Sequence, residues 1–166
     1  MSAAWSRHLR RSLEGVQPYD VAPADPSLAR MHANECAEPW PPEVADAVAQ
    51  TLRTVELGRY PDTSGRALRA ILAAAHDCDP ARVVLGNGSD EIISTLLTAL
   101  SGGGHLVIPT PTFVMYGHSA AVAGVEVREV PMTASFGLDE GALAEALDGA
   151  ATCFLARPNN PTGTLW

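Results

Sequence analysis

Val83-Val84-Leu85-Gly86-Asn87-Gly88-Ser89-Asp90-Glu91-Ile92-Ile93 holds the change of period that decides the fold. A short β-branched run ends in a turn bracketed by glycines. Ile92, Ile93, Leu96, Leu97 and Leu100 then recur at helical spacing. The reading is a strand at Val83–Leu85, a turn, and a helix stopped by the triple glycine Gly102–Gly104. The alternation continues downstream. Leu106–Ile108 is predicted as a buried strand, Val114–Ala123 as a helix closed by Gly124, and Val125–Val130 as a third strand. Asp139 caps a helix bearing Leu143 and Leu147, with Gly149 behind it, and Thr152–Ala156 is a fourth strand. Strands alternating with helices at this spacing form βαβ units, so the fold class is α/β with a largely parallel sheet and helices on its faces.

Upstream the pattern is less regular. Gly15–Pro42 is rich in Pro, Asp and Ala and reads as loop or extended connection, with a short strand expected around Ala29–His32. Pro42 sits in the first turn of a helix whose face is Val44, Val48, Leu52 and Val55. Leu57–Thr63 is a loop, and Ala67, Leu68, Ile71, Leu72 and Ala75 mark a second helix that ends before Pro80. At the amino end Trp5, Leu9, Leu13 and Val16 fall at helical spacing beside Arg7, Arg10 and Arg11. That pattern predicts a short amphipathic arm packing on a partner surface; the uninterrupted apolar stretch of a signal peptide is missing.

Composition narrows the functional classes. No apolar run approaches the ~18–20 residues that span a bilayer. Nineteen acids face eleven bases, a net charge of −8 that argues against a nucleic-acid groove. Cys36, Cys78 and Cys153 are widely spaced without a C-x-x-C, which suggests neither disulfides nor zinc, and the five histidines show no metal-ligand spacing. A reducing, cytoplasmic setting fits best. All eleven bases are arginine; the sequence contains no lysine.

In sheets of this kind ligands bind beyond the carboxyl ends of the strands, which singles out three loops. Gly86–Glu91 joins a strand to a helix start, where free N–H groups and a partial positive charge suit a phosphate; a plain strand–helix turn capped by Ser89 or Asp90 explains the same residues. It lacks the Walker A lysine and the full G-x-G-x-x-G pattern. Pro109-Thr110-Pro111-Thr112-Phe113 presents an aromatic ring on which a flat heterocycle could stack, or one that serves as core. Pro158-Asn159-Asn160-Pro161-Thr162-Gly163 holds an asparagine before proline in extended conformation, its amide ready to donate and accept, unless the loop is a simple surface turn. Thr110–Pro111 and Asn160–Pro161 are candidates for cis peptide bonds.

Taken in order, His32-Ala33-Asn34-Glu35, Arg59-Tyr60-Pro61-Asp62, Gly86–Glu91, Pro111-Thr112-Phe113 with Tyr116, and Pro158–Gly163 resemble the amino-terminal half of a fold-type I, pyridoxal-phosphate-dependent aminotransferase. The subgroup they are most similar to is histidinol-phosphate aminotransferase. The resemblance implies the first half of a three-layer αβα large domain over 57–166, truncated, preceded by an amino-terminal arm and part of a small domain over 1–56. It implies that backbone N–H groups of Gly88, Ser89 and Asp90 hold the cofactor phosphate, that Phe113 stacks on the pyridine ring, and that Asn160 bonds the ring's phenolic oxygen. Tyr60 would reach the cofactor of a partner subunit, making the full-length enzyme a homodimer, while Asn34 and Tyr19 would lie toward a small-molecule substrate. The strand at Thr152–Ala156 would neighbour Leu106–Ile108, with Val125–Val130 beyond it and Val83–Leu85 displaced across the sheet. Family members continue past Gly163 with the aspartate for the pyridinium nitrogen, the cofactor-binding lysine and substrate-binding arginines. None of these is present, so the chain reads as a fragment, inactive by itself. The implied reaction passes an amino group between histidinol phosphate and 2-oxoglutarate in histidine biosynthesis. An aromatic amino acid aminotransferase or a phosphothreonine decarboxylase of the same fold is the near alternative; a non-catalytic phosphate-binding α/β module or pseudo-enzyme is the distant one.

Overall fold

Alternate side chains of His105-Leu106-Val107-Ile108-Pro109-Thr110 enter opposite layers, and the first five are buried, so this run can only be the middle of a sheet. In the computed structural model it is β1 (His105–Thr110), flanked by β2 (Val127–Pro131) and β3 (Ala150–Cys153) in the order β2-β1-β3. Both pairings are parallel: Ile108 lies opposite Glu129, and Val107 opposite Cys153. The structure describes residues 8–17, 25, 27–31, 33–100 and 102–166. They divide into two compact units, Met1–Gln17 with Ala81–Trp166, and Pro18–Pro80.

In the sheet-bearing unit, α3 (Gly88–Leu100) and α4 (Met115–Ala123) cover one face. Ile93, Leu97 and Ala120 pack there with Leu106 and Ile108 to form the core. The opposite face receives α5 (Glu140–Ala146), where the buried His105 Nε2–H donates to Ala146 O at 2.8 Å. The carbonyl can only accept, which fixes the tautomer. Three layers result, as the sequence pattern requires. Asp139 caps α5, its Oδ1 accepting from Ala142 N at 3.0 Å. Where β1 meets β3 the backbones crowd: a Cβ at Gly104 (φ +150°) would stand 2.7 Å from Ala151 N and 2.8 Å from Gly149 O, so only glycine fits.

Several sequence expectations shift. Val83–Leu85 is not a strand, and Val84 is 71% exposed. β1 already has a neighbour on each side, and among the described residues no further strand offers this segment a ladder. β2 starts two residues later than expected, after Leu106 N–H has bonded Glu126 O; β3 is moved towards its amino end, and Phe154 N–H adds one more bond to Val107 O. Ala29–Met31 form no strand, and His32 lies outside the described residues, as does Trp5. The described part of the arm forms no α-helix; Arg11–Leu13 make a 3₁₀ turn set against α4, with Arg10 Nη1 donating to Val122 O at 3.1 Å. Thr110–Pro111 and Asn160–Pro161 are cis as expected, and Arg157–Pro158 is cis as well.

The other unit carries α1 (Pro42–Arg53), opened by its proline, and α2 (Arg66–Ala75). Asp62 organises the entry to α2: Oδ1 accepts from Ser64 Oγ at 2.6 Å and Ser64 N at 3.1 Å, and Oδ2 from Arg66 N at 3.2 Å. These bonds hold its carboxyl at about 2, the Ser64 hydroxyl contributing most. Ala73 is the one buried residue among those described here, and the Val44, Val48 and Leu52 face of α1 is exposed.

Candidate functional site

A helix joined to a strand by four residues and packed on it must run antiparallel to it. The start of α3 therefore lies over the carboxyl end of β1, where the loops after β1 and β3 also emerge. In the turn before α3, Gly88 has φ +80° and its N–H donates to Gly86 O at 3.0 Å. Asn87 N–H is taken by the Glu91 carboxylate, which folds back from the first turn of α3. Ser89 and Asp90 N–H fall in the first turn, where a helix supplies no acceptor of its own, and none binds them among the described residues. Nothing stands within 4 Å of where a Gly88 Cβ would be, so the approach to these donors is open. Two aimed N–H groups at a helix start form a cradle for an anion.

Phe113 follows β1. Half-buried, it packs on the core cluster and meets Tyr116 edge-on, with ring centroids 5.6 Å apart. Tyr116 in turn tilts against Phe154 at 5.0 Å, and burial pushes its phenol up from the ordinary value. Phe113 thus takes part of the core role and still borders a cleft of ≈ 450 Å³ shared with Val16 and Gln17 of the arm, His118 of α4 and Glu129 of β2. After β3, Asn160 is exposed and its amide makes no hydrogen bond among the described residues, which leaves it available to a ligand.

Sequence reasoning passed over the residue that joins these loops. Asn159 is buried, and its amide reaches back to the loop before Phe113: Thr112 Oγ1 donates to Oδ1 at 2.8 Å, and Nδ2 donates to Pro111 O at 3.0 Å. The doubled asparagine was the available signal, since two adjacent amides leaving a buried strand cannot both face the same way. Phe113, Asn160 and the first turn of α3 are thus gathered at one end of the sheet. Asn34 (φ +52°) and Tyr60, 98% exposed, belong to the other unit, and Tyr19 lies outside the described residues. Among the described residues no group of three or more His, Cys, Asp or Glu could hold a metal, and no helix is long and apolar enough to cross a membrane.

The family model for aminotransferase class I and II matches residues 27–166. Histidinol-phosphate aminotransferase of Thermococcus gammatolerans is 40% identical over 153 residues, covering 92% of this chain and 44% of that protein. The enzyme of the same name from Acidovorax ebreus is 43% identical over 162 residues, covering 95% and 44%. Among solved structures, histidinol-phosphate aminotransferase of Sinorhizobium meliloti in complex with pyridoxal-5'-phosphate superposes with a TM-score of 0.66 at 25% identity, covering 76% of this chain and 34% of that one. The chain spans a little under half the length of the curated relatives it matches.

Proposed function

The chain belongs to the aminotransferase class I and II family, and we propose that it contributes the phosphate- and ring-binding side of a pyridoxal-phosphate site in an enzyme that transaminates histidinol phosphate with 2-oxoglutarate. The observation that carries the reading is the convergence of three ligand-ready groups at one sheet end: the open N–H pair of Ser89 and Asp90, the ring of Phe113 and the unengaged amide of Asn160. Their chemistry fits the group. A dianionic phosphate suits N–H donors at a helix start, a flat heteroaromatic suits an aromatic face, and a phenolate oxygen suits an amide donor. The names and identities of the relatives support the substrate assignment.

In this reading the Gly88–Asp90 backbone anchors the phosphate and fixes the cofactor's position along the sheet edge. Phe113 sets the plane of the ring and shields that face from water, while Asn160 holds the phenolic oxygen in its ionised form by donating to it. When bound, the cofactor supplies the electron sink for bond-breaking at the substrate's amino carbon. Tyr60, exposed, serves the phosphate of a partner subunit's cofactor in a homodimer, and Asn34 and Tyr19 face the substrate. Residues 57–166 form the first half of the large domain, residues 1–56 the arm and part of the small domain, and the enzyme works in the cytoplasm. The test is glutamate formation by the full-length enzyme from histidinol phosphate and 2-oxoglutarate. Turnover with an aromatic amino acid but none with histidinol phosphate would overturn the substrate assignment, and no dependence on pyridoxal phosphate would overturn the class.

A further inference from the structure

Asn159 is 2% exposed, and every polar group it owns is engaged. Its N–H donates to Thr164 O at 2.9 Å, and its carbonyl accepts from Gly163 N at 2.7 Å, closing the 159–164 turn on itself. Nδ2 donates to Thr162 Oγ1 at 2.9 Å within the same turn. Its two remaining bonds leave the turn altogether, spanning 47 residues to Thr112 Oγ1 and 48 to Pro111 O. The amide has one possible orientation. Pro111 O can only accept, so the nitrogen must face it and Oδ1 must take the Thr112 proton.

A residue that merely closed its own loop would need none of the long-range pair. We infer that Asn159 is a positioning residue that clamps the loop carrying Asn160 to the loop carrying Phe113, so that both keep a fixed spacing. Its consequence for cofactor binding rests on the proposed function; the clamp itself does not. Replacement by aspartate keeps the shape and one acceptor but turns a second oxygen toward Pro111 O, exchanging attraction for repulsion. Replacement of Thr112 by valine removes one long-range bond without touching the 159–164 turn, and serine restores the hydroxyl.

Amide hydrogen exchange on the full-length protein tests the clamp, with Phe154 N–H, bonded to Val107 O, reporting on the sheet. Thr112→Val is expected to raise exchange at the Asn159 and Gly163 amides roughly fivefold, the loss of one net hydrogen bond. Thr112→Ser should stay within twofold of the parent, Asn159→Asp should exceed Thr112→Val, and Phe154 should not change. Affinity for pyridoxal phosphate should fall in the same order. If Asn159→Asp does not fold, the Thr112 pair still decides. Unchanged exchange at Gly163 in Thr112→Val, or no recovery in Thr112→Ser, would overturn the inference. Exchange in the expected order in a protein that takes no pyridoxal phosphate would support the clamp and refute the cofactor reading.

Discussion

Gly88→Ala is the substitution most revealing about the anion cradle. Gly88 sits at φ +80°, and a Cβ there would meet nothing within 4 Å, so the cost is conformational rather than steric. Placing an L-residue in that region costs about 1–2 kcal/mol. Loss of freedom in the unfolded chain returns roughly 0.4–1 kcal/mol. The net destabilisation is about 1 kcal/mol. The alternative to bearing that strain is to rotate the 88–89 peptide, which re-aims Ser89 N–H and weakens anion binding. Denaturant unfolding of the full-length protein together with pyridoxal phosphate titration reads both effects. Gly88→Asn, which tolerates positive φ better, should recover part of the loss, and Gly102→Ala, whose Cβ also meets open space but without the positive φ, should be close to neutral. Gly88→Ala as stable as the parent with unchanged affinity would refute the reasoning.

Asp62 is held at about 2, below its ordinary 3.8, by bonds that exist only in the folded turn. Its contribution is therefore complete above about pH 4 and is lost as the pH falls through 2, a dependence that Asp62→Asn should abolish; a carboxyl titration midpoint at or above 3.8 would contradict it. Leu97→Ala removes a side chain only 1% exposed from the centre of the α3–sheet core and should cost about 2–5 kcal/mol by denaturant unfolding. With eleven arginines and no lysine, residues 1–166 treated with pyridoxal phosphate and borohydride should yield no adduct other than at the Met1 amine; guanidinium stays protonated and is a poor nucleophile. Mass spectrometry of the digest checks this.

The layer order was legible because α3 carries its own helical period, β1 its own apolar run, and Gly124 and Asp139 mark the end of α4 and the start of α5. Leu106–Ile108 needed nothing but its neighbours in sequence to be identified. Val83–Leu85 looked equally good by composition, yet a strand is a property of a pair, and no ladder partner reaches it here. The arm failed for a related reason: Leu9, Leu13 and Val16 keep helical spacing, while Arg10 bonds Val122 O and Arg11–Leu13 form a 3₁₀ turn, not an α-helix, against α4. At the site, Ser89 and Asp90 could be read as a cradle because helix starts leave N–H groups free by construction, whereas the Gly88 N–H turns back to Gly86 O. Asn159 could not, since its role depends on Pro111 and Thr112 lying beside it, a contact made across nearly fifty residues by a parallel sheet whose β1 and β3 are neighbours.

An amide chemical-shift titration of the full-length protein with pyridoxal phosphate tests the cofactor site most directly. The expected result is that the largest shifts fall on the backbone amides of Gly88, Ser89 and Asp90 and on Phe113 and the side-chain amide of Asn160. Shifts confined to other surfaces, or none at millimolar cofactor, would contradict it.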